Sequence, residues 1–162
     1  MKYVKLGVFT GLALAISWAE RFIPFMPAVP GMKLGLANII LILVLEFYGL
    51  KAALTVNVVR ALLAAALYGG VMSLPYSLCG GVCAVLAMSL LKKIPGISLT
   101  GVGVGGAFVH NLAQISVACL IMQTPYIFTY LPFLGITAVA TGIVTGVCAR
   151  ISADILKKQM II

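Results

Sequence analysis

Long apolar runs, separated by short breaks rich in glycine, proline or lysine, fill most of the 162-residue chain. Runs of this kind match the roughly 20 residues that a helix needs to cross a bilayer. Backbone amides inside lipid must be paired within their own segment, so the runs are expected to be helices. We predict an all-α integral membrane protein, one transmembrane domain over residues 1–162, in which six crossing helices form a bundle. The predicted spans are 6–23, 33–49, 51–69, 71–91, 99–122 and 127–150.

Composition and charge support this class and give an orientation. Hydrophobic residues make up 63% of the chain and charged residues 9%, which is typical of an integral membrane protein. The net charge of +8 would favour nucleic acid as a partner of a soluble chain. Here the basic residues cluster in alternate breaks, which predicts cytoplasmic termini, contact with anionic membrane lipids and no nucleic-acid partner. The residues on this side are Lys2, Lys5, Lys51, Lys92, Lys93, Arg150, Lys157 and Lys158.

Strongly polar residues inside the apolar runs are the main functional signal. His110, Asn111 and Gln114 lie within five positions of the fifth run, Arg60 lies near the middle of the third, and Asn38 lies in the second. Polar groups at membrane depth are costly and normally face a cavity or the interior of a bundle. They either line a cavity that offers hydrogen-bond donors to carbonyl, carboxylate or phosphate oxygens, or hydrogen-bond between helices and fix their positions.

Two of the candidates carry further alternatives. Arg60 either anchors a ligand in the cavity or forms a structural ion pair with Glu46, although Lys51 is an easier neighbour for that carboxylate. Tyr76 follows Pro75 at the predicted outer end of the fourth run. It belongs either to an outer vestibule of the cavity or to the belt of aromatic residues at the membrane interface.

Two other features lie at the start of the chain. Gly7, Gly11, Ala15 and Ala19 recur every four residues and form a smooth ridge, which packs either inside the bundle or against a separate membrane subunit. Prolines at positions 24, 27 and 30 exclude a helix in the segment between the first two runs. That segment is either a lid over an outward-facing cavity or a rigid connector.

Several chemistries are excluded by what the sequence lacks. Gly101, Gly103 and Gly106 match GxGxxG, but no strand precedes them and no acidic residue follows before Asp154, so we interpret them as a packing face. The chain has no P-loop string, and its three acidic residues are too scattered to hold magnesium diphosphate. Four cysteines and one histidine give no structural metal site. We therefore expect no metal, no cofactor and no enzymatic activity.

Three strings, PGMKLGLANI, RALLAAALYGG and GAFVHNLAQ, resemble the bacterial membrane family labelled heptaprenyl diphosphate synthase component I, also called the Gx transporter family. The resemblance covers nearly the whole chain. That family is similar to the substrate-binding S components of energy-coupling factor (ECF) transporters, which have six helices and cytoplasmic termini. The resemblance implies the bacterial cytoplasmic membrane as location and import of a small molecule such as a vitamin or precursor as function.

The same resemblance implies partners and roles for individual residues. The partners would be an integral coupling (T) subunit and two ATPase subunits, docked on the ridge of Gly7, Gly11 and Ala15. The ridge departs from the S-component pattern in using glycines where alanines are usual. The alternative to import is a noncatalytic membrane subunit of a quinone- or isoprenoid-linked or electron-transfer assembly. Residues matched to the substrate site are Lys33, Asn38, His110, Asn111 and Gln114.

Overall fold

The computed structural model describes residues 2–23 and 33–160, and every regular element within these ranges is helical. The predicted all-helical class is confirmed for this part of the chain. The proline-rich segment, for which a lid or a connector was predicted, lies outside the described residues. The elements are α1 (Lys2–Ala19), a 3-10 turn (Glu20–Phe22), α2 (Asn38–Tyr48), α3 (Leu50–Ala64) continued by a π-helical turn (Ala65–Gly69), α4 (Ser73–Leu91), α5 (Leu99–Met122), a 3-10 turn (Pro125–Tyr130) and α6 (Leu131–Met160).

Four helical segments are long and apolar enough to cross a membrane: Leu50–Gly69, Ser73–Leu91, Leu99–Met122 and Pro125–Gln159. The two remaining helices, α1 and α2, do not meet these conditions of length and hydropathy. The apolar helix α2 has 11 residues, whereas the second predicted span began at Lys33. The 18-residue α1 includes Lys2 and Lys5. The structure thus supports a membrane protein with at least four candidate spans.

Helix α2 is the centre of the bundle and packs against all five other helices. Its residues 40–45, Ile-Leu-Ile-Leu-Val-Leu, are apolar all round and buried all round. A helix with no polar face has to be enclosed on every side, which explains this position. Gly49, with φ +81°, forms the one-residue break after which α3 starts. Because the other helices enclose α2, the polar residue Asn38 at its start has a fixed position in the bundle.

Glycines allow α5 and α6 to approach closely. A Cβ at Gly103 would lie 2.6 Å from the Gly142 carbonyl oxygen, so the two helix backbones are in contact. A Cβ at Gly106 would meet the Met88 side chain of α4. The GxGxxG string of α5 therefore lies on a helix whose glycines contact α6 and α4, as the packing interpretation predicted.

One carboxylate joins the ends of three helices. Glu46 near the end of α2 contacts Lys92, directly after α4, at 2.7 Å and Lys157 of α6 at 3.0 Å. The alternative in which Glu46 pairs with Arg60 is therefore wrong, because these two lysines are its partners. Lys51, the other expected neighbour of Glu46, is not among its ion-pair partners.

We expect Glu46→Gln to lower the free energy of unfolding by no more than about 1 kcal/mol, because partly exposed ion pairs contribute little. Thermal unfolding in detergent should show a loss that shrinks as salt is raised, since salt screens the two pairs. Asp154→Asn, at an exposed position of α6, is the matched control and should have a smaller effect. A salt-independent loss, or an equal loss in both variants, would contradict this role.

Candidate functional site

Polar residues from separate parts of the chain meet at one small internal cavity. It lies between the 3-10 turn after α1, the segment before α2, and helices α2, α3, α4 and α5. Its volume is about 10 Å³, enough for about one water molecule. Most of the surrounding bundle is apolar, so the concentration of polar groups here distinguishes the cavity from ordinary packing. The lining residues are Glu20, Lys33, Gly35, Ala37, Asn38, Arg60, Ser77, His110 and Gln114.

Arg60 is held at the cavity by two neutral hydrogen-bond acceptors. Its Nη1 donates to Ser17 Oγ of α1 at 2.9 Å, and its Nη2 donates to Asn57 Oδ1 of α3 at 2.8 Å. Asn57 lies against Gly81 of α4, where any Cβ would clash with the amide. Arg60 is 4% exposed, and its guanidinium makes no ion pair within the described ranges. A buried charge with only neutral partners is energetically costly, which marks Arg60 as more than a packing residue.

His110 and Gln114 form a second fixed pair on one face of α5. The Gln114 Oε1 accepts a hydrogen bond from the Lys33 backbone N–H at 3.2 Å, so the amide Nε2 is the end that faces His110 Nε2, at 2.8 Å. An amide nitrogen donates, so His110 Nε2 is the acceptor and the ring is neutral with its proton on Nδ1. The imidazole fits between Gly35 and Gly80, where a Cβ would lie within about 3 Å of the ring.

Glu20 attaches the segment before α2 to the end of α1. Its Oε1 accepts a hydrogen bond from the Gly35 backbone N–H at 2.5 Å, and the side chain is buried. Gly35 has φ +83°, a conformation that favours glycine, and it faces His110 and Asn38. Glu20 and Gln114 therefore hold residues 33–35 from two sides, which makes this short segment one wall of the cavity.

The Lys33 ammonium lies over the ring of Tyr68, 5.9 Å from its centroid. Tyr68 belongs to the π-helical turn after α3, and its hydroxyl donates to the Leu14 carbonyl of α1 at 3.0 Å. The Arg21 guanidinium also lies over this ring, at 5.5 Å. Cations are attracted to aromatic faces, so Tyr68 contributes to holding Lys33 at the cavity.

Five of the seven predicted substrate-site residues therefore lie together, and two do not. Asn111 faces α6, where its Nδ2 donates to the Leu134 carbonyl at 3.1 Å, an interhelical contact of the kind that fixes helix positions. Tyr76 is buried in an apolar cluster with Ile115, Ile127 and neighbouring residues, away from the cavity. The five that meet are Lys33, Asn38, Arg60, His110 and Gln114.

Sequence reasoning missed Glu20, Ser77 and Tyr68. Glu20 was not singled out, although a carboxylate inside the predicted span 6–23 is by itself a candidate functional group. Ser77 gave no signal, because serine is common in transmembrane helices. Tyr68 contacts Lys33 from the π-helical turn after α3, and the pattern of apolar residues does not predict that turn.

A second surface lies on α1. The predicted docking residues Gly7, Gly11 and Ala15 are all exposed, and no other side chain or packed helix lies within 4 Å of where a Cβ would sit at either glycine. The ridge is thus free of packing against the described part of the bundle. Beside it, an apolar groove of about 400 Å³ runs between α1 and α6 over α2, lined by Val8, Phe9, Leu12, Ile40, Leu43, Ser152, Ile155 and Leu156.

Comparison with known proteins gives one match. Searches among curated proteins and among solved structures found nothing similar to this chain. A family model described as heptaprenyl diphosphate synthase component I matches residues 9–151. The matched range includes parts of all six helices and the whole cavity lining, and the chain therefore belongs to the heptaprenyl diphosphate synthase component I family.

Proposed function

We propose that this chain is the substrate-binding S subunit of an ECF-type, ATP-driven importer in a bacterial cytoplasmic membrane. One observation carries the proposal: charged and amide side chains from separate parts of the chain converge on one small internal cavity in a bundle whose interior is mostly apolar. A site for a small water-soluble molecule has this character, because a few fixed polar groups set specificity in an enclosed space. In this proposal α1 and α2 also cross the membrane, and both termini face the cytoplasm.

The surface of α1 supports a partner subunit. Small residues let a second helix approach closely, and this ridge has no neighbour within the described ranges. The proposed partner is an integral coupling subunit with two ATPases, because the chain itself has no P-loop string to bind ATP. The word "component" in the family description agrees with a multi-subunit assembly.

Catalysis of prenyl transfer is not part of the proposal. Such chemistry depends on carboxylates that gather magnesium ions around a diphosphate. The three acidic residues of this chain are dispersed: Glu20 lies at the cavity, Glu46 at the opposite end of α2, and Asp154 on the exposed face of α6. These residues do not fit a magnesium-diphosphate centre, so the chain is proposed to act without catalysis.

Copurification and uptake test the proposal together. The tagged chain should copurify with an integral membrane subunit and ATPases, and membrane vesicles containing the complex should accumulate the bound compound only when ATP is supplied. Arg60→Gln should reduce uptake while the complex still assembles, because Arg60 is buried at the cavity and does not lie on the α1 ridge. Isolation of the chain with no ATPase, under conditions that preserve known membrane complexes, would contradict the importer.

We expect Gly11→Leu to disrupt assembly with the coupling subunit while leaving ligand binding unchanged. The leucine side chain would project from a ridge where nothing now lies within 4 Å, so the bundle has room for it but a closely packed partner helix does not. Copurification should fall at least about tenfold, the effect of losing roughly 1.4 kcal/mol of binding free energy.

Ala140→Leu, at an exposed position of α6, is the matched control for added bulk on the surface and should copurify normally. If Gly11→Leu couples as well as the control does, then the ridge is not the docking surface.

The groove between α1 and α6 favours a second candidate function, a noncatalytic membrane subunit of an isoprenoid- or quinone-linked assembly. Its apolar lining and volume of about 400 Å³ suit a prenyl chain. Mass spectrometry of the gently extracted protein separates the two functions. A bound prenyl lipid without any water-soluble compound would favour the second, and a water-soluble compound would favour the importer.

A further inference from the structure

The hydrogen-bonding groups left over at the cavity are mainly donors. Lys33 Nζ, Asn38 Nδ2 and Arg60 Nε are buried and have no hydrogen-bond partner among the described residues. Two further groups on the same cavity, Ser77 Oγ and His110 Nδ1, also have no hydrogen-bond partner in those ranges. Buried polar groups in proteins are nearly always paired, so each of these groups needs an explanation. Four of the five can only donate, because the His110 proton is on Nδ1, which means that the missing partner is rich in acceptors.

The charges at the cavity also indicate a partner that is rich in acceptors, and they indicate that it is negatively charged. Lys33 and Arg60 are two cations, whereas Glu20 is the single carboxylate that lines the cavity. Neither cation makes an ion pair with Glu20 in the described structure, and the carboxylate is hydrogen-bonded to the Gly35 backbone instead. With His110 neutral, the lining carries one excess positive charge. Enclosed charge without a counterion is costly, and an anion between the two cations would offset that cost.

Resting on the proposed importer function, we propose that the transported compound carries a carboxylate or phosphate group that binds between Lys33 and Arg60. Both groups offer several acceptor oxygens and a negative charge, which matches the unpaired donors of Lys33, Asn38 and Arg60. The cavity has room for about one water molecule, less than a carboxylate or phosphate group needs. Binding therefore displaces residues 33–37, the wall that is outside the long helices and is held by Glu20 and Gln114.

The first experiment identifies what the purified protein carries. Compounds released by denaturing the detergent-purified wild type are compared by mass spectrometry with those from Arg60→Gln and from Lys51→Gln, a control at an exposed lysine of the same helix. We expect one compound that is enriched in the wild type and the control and depleted in Arg60→Gln. Methyl esterification identifies a carboxylate and phosphatase treatment identifies a phosphate. A released compound with neither group overturns the proposal.

The second experiment does not depend on a compound surviving purification. Thermal unfolding is followed while acetate, inorganic phosphate or uncharged acetamide is added. At least one of the two anions should stabilise the wild type and Lys51→Gln more than acetamide does. In Lys33→Gln and Arg60→Gln its apparent Kd should rise roughly 10- to 100-fold, the effect of one lost hydrogen bond to a charged group. Equal stabilisation by anions and acetamide, or anion effects unchanged in both variants, overturns the proposal.

These measurements use the isolated chain, so they separate the ligand class from the transport function. Anion binding that depends on Lys33 and Arg60, in a protein that shows no ATP-dependent uptake with partners, would support the ligand class and reject the importer. ATP-dependent uptake of an uncharged compound would support the importer and reject the ligand class.

Discussion

Replacing Gly142 by alanine is expected to lower the free energy of unfolding by about 1–3 kcal/mol, the usual cost of forcing extra atoms into a close-packed interface. A Cβ at this position would lie 2.4 Å from Val104 Cα, and the atoms it meets belong to the α5 backbone. A flexible side chain could turn away, but a helix backbone cannot, so α5 and α6 have to separate. The loss is expected despite the higher helix propensity of alanine, which alone would favour the variant by about 1 kcal/mol.

Gly135→Ala on the same helix is the control, because its Cβ would make only an ordinary contact, 3.9 Å from the Phe108 ring. Thermal unfolding of the purified proteins in one detergent should place Gly142→Ala below the wild type and Gly135→Ala at or above it. Equal midpoints for the two variants would show that the α5–α6 interface adapts to a methyl group and is looser than the structure indicates.

The helical class and most helix positions follow from the sequence because a single physical rule governs them. Apolar runs must form helices to satisfy their backbones, and the fifth predicted span coincides with α5, Leu99–Met122. The residues at which the helices begin and end were less predictable. The second run was predicted to begin at Lys33, but α2 begins at Asn38, because residues 33–35 are hydrogen-bonded to Glu20 and Gln114 instead of to their own helix.

The family was also recognisable from the sequence, and the match to residues 9–151 confirms it. The composition of the cavity was only partly predictable. Arg60 and His110 are polar residues inside apolar runs, which predicts that they face a cavity or the bundle interior, and both do line the cavity. Asn111 was grouped with His110 as a site residue, but neighbouring residues of a helix point in different directions, and Asn111 faces α6. Glu20 reaches the cavity through a 3-10 turn that breaks the helical periodicity on which the prediction depended.

Glu20→Ala is expected to be the most destabilising single substitution at the cavity, by roughly 3 kcal/mol or more. The variant loses the acceptor for the Gly35 N–H and also the only carboxylate that faces Lys33 and Arg60. Glu20→Gln separates the two effects, because its amide oxygen can still accept from Gly35 while the charge is gone. We therefore expect Glu20→Gln to lie between the wild type and Glu20→Ala in unfolding midpoint.

A double-mutant cycle tests whether Glu20 compensates the charge of Arg60. Once Arg60→Gln has removed one cation, removing the carboxylate costs less, so the pair of substitutions should be less destabilising than the sum of the singles by about 1 kcal/mol. The matched cycle combines Arg60→Gln with Glu46→Gln, whose carboxylate pairs with lysines at the other end of α2, and should be additive to within about 0.5 kcal/mol. Additivity in both cycles would mean that Glu20 acts only through its hydrogen bond to Gly35. Coupling in the first cycle alone would show that Glu20 compensates the positive charge of Arg60. Because the cavity has two cations and one carboxylate, one positive charge would then remain for an anionic ligand to neutralise.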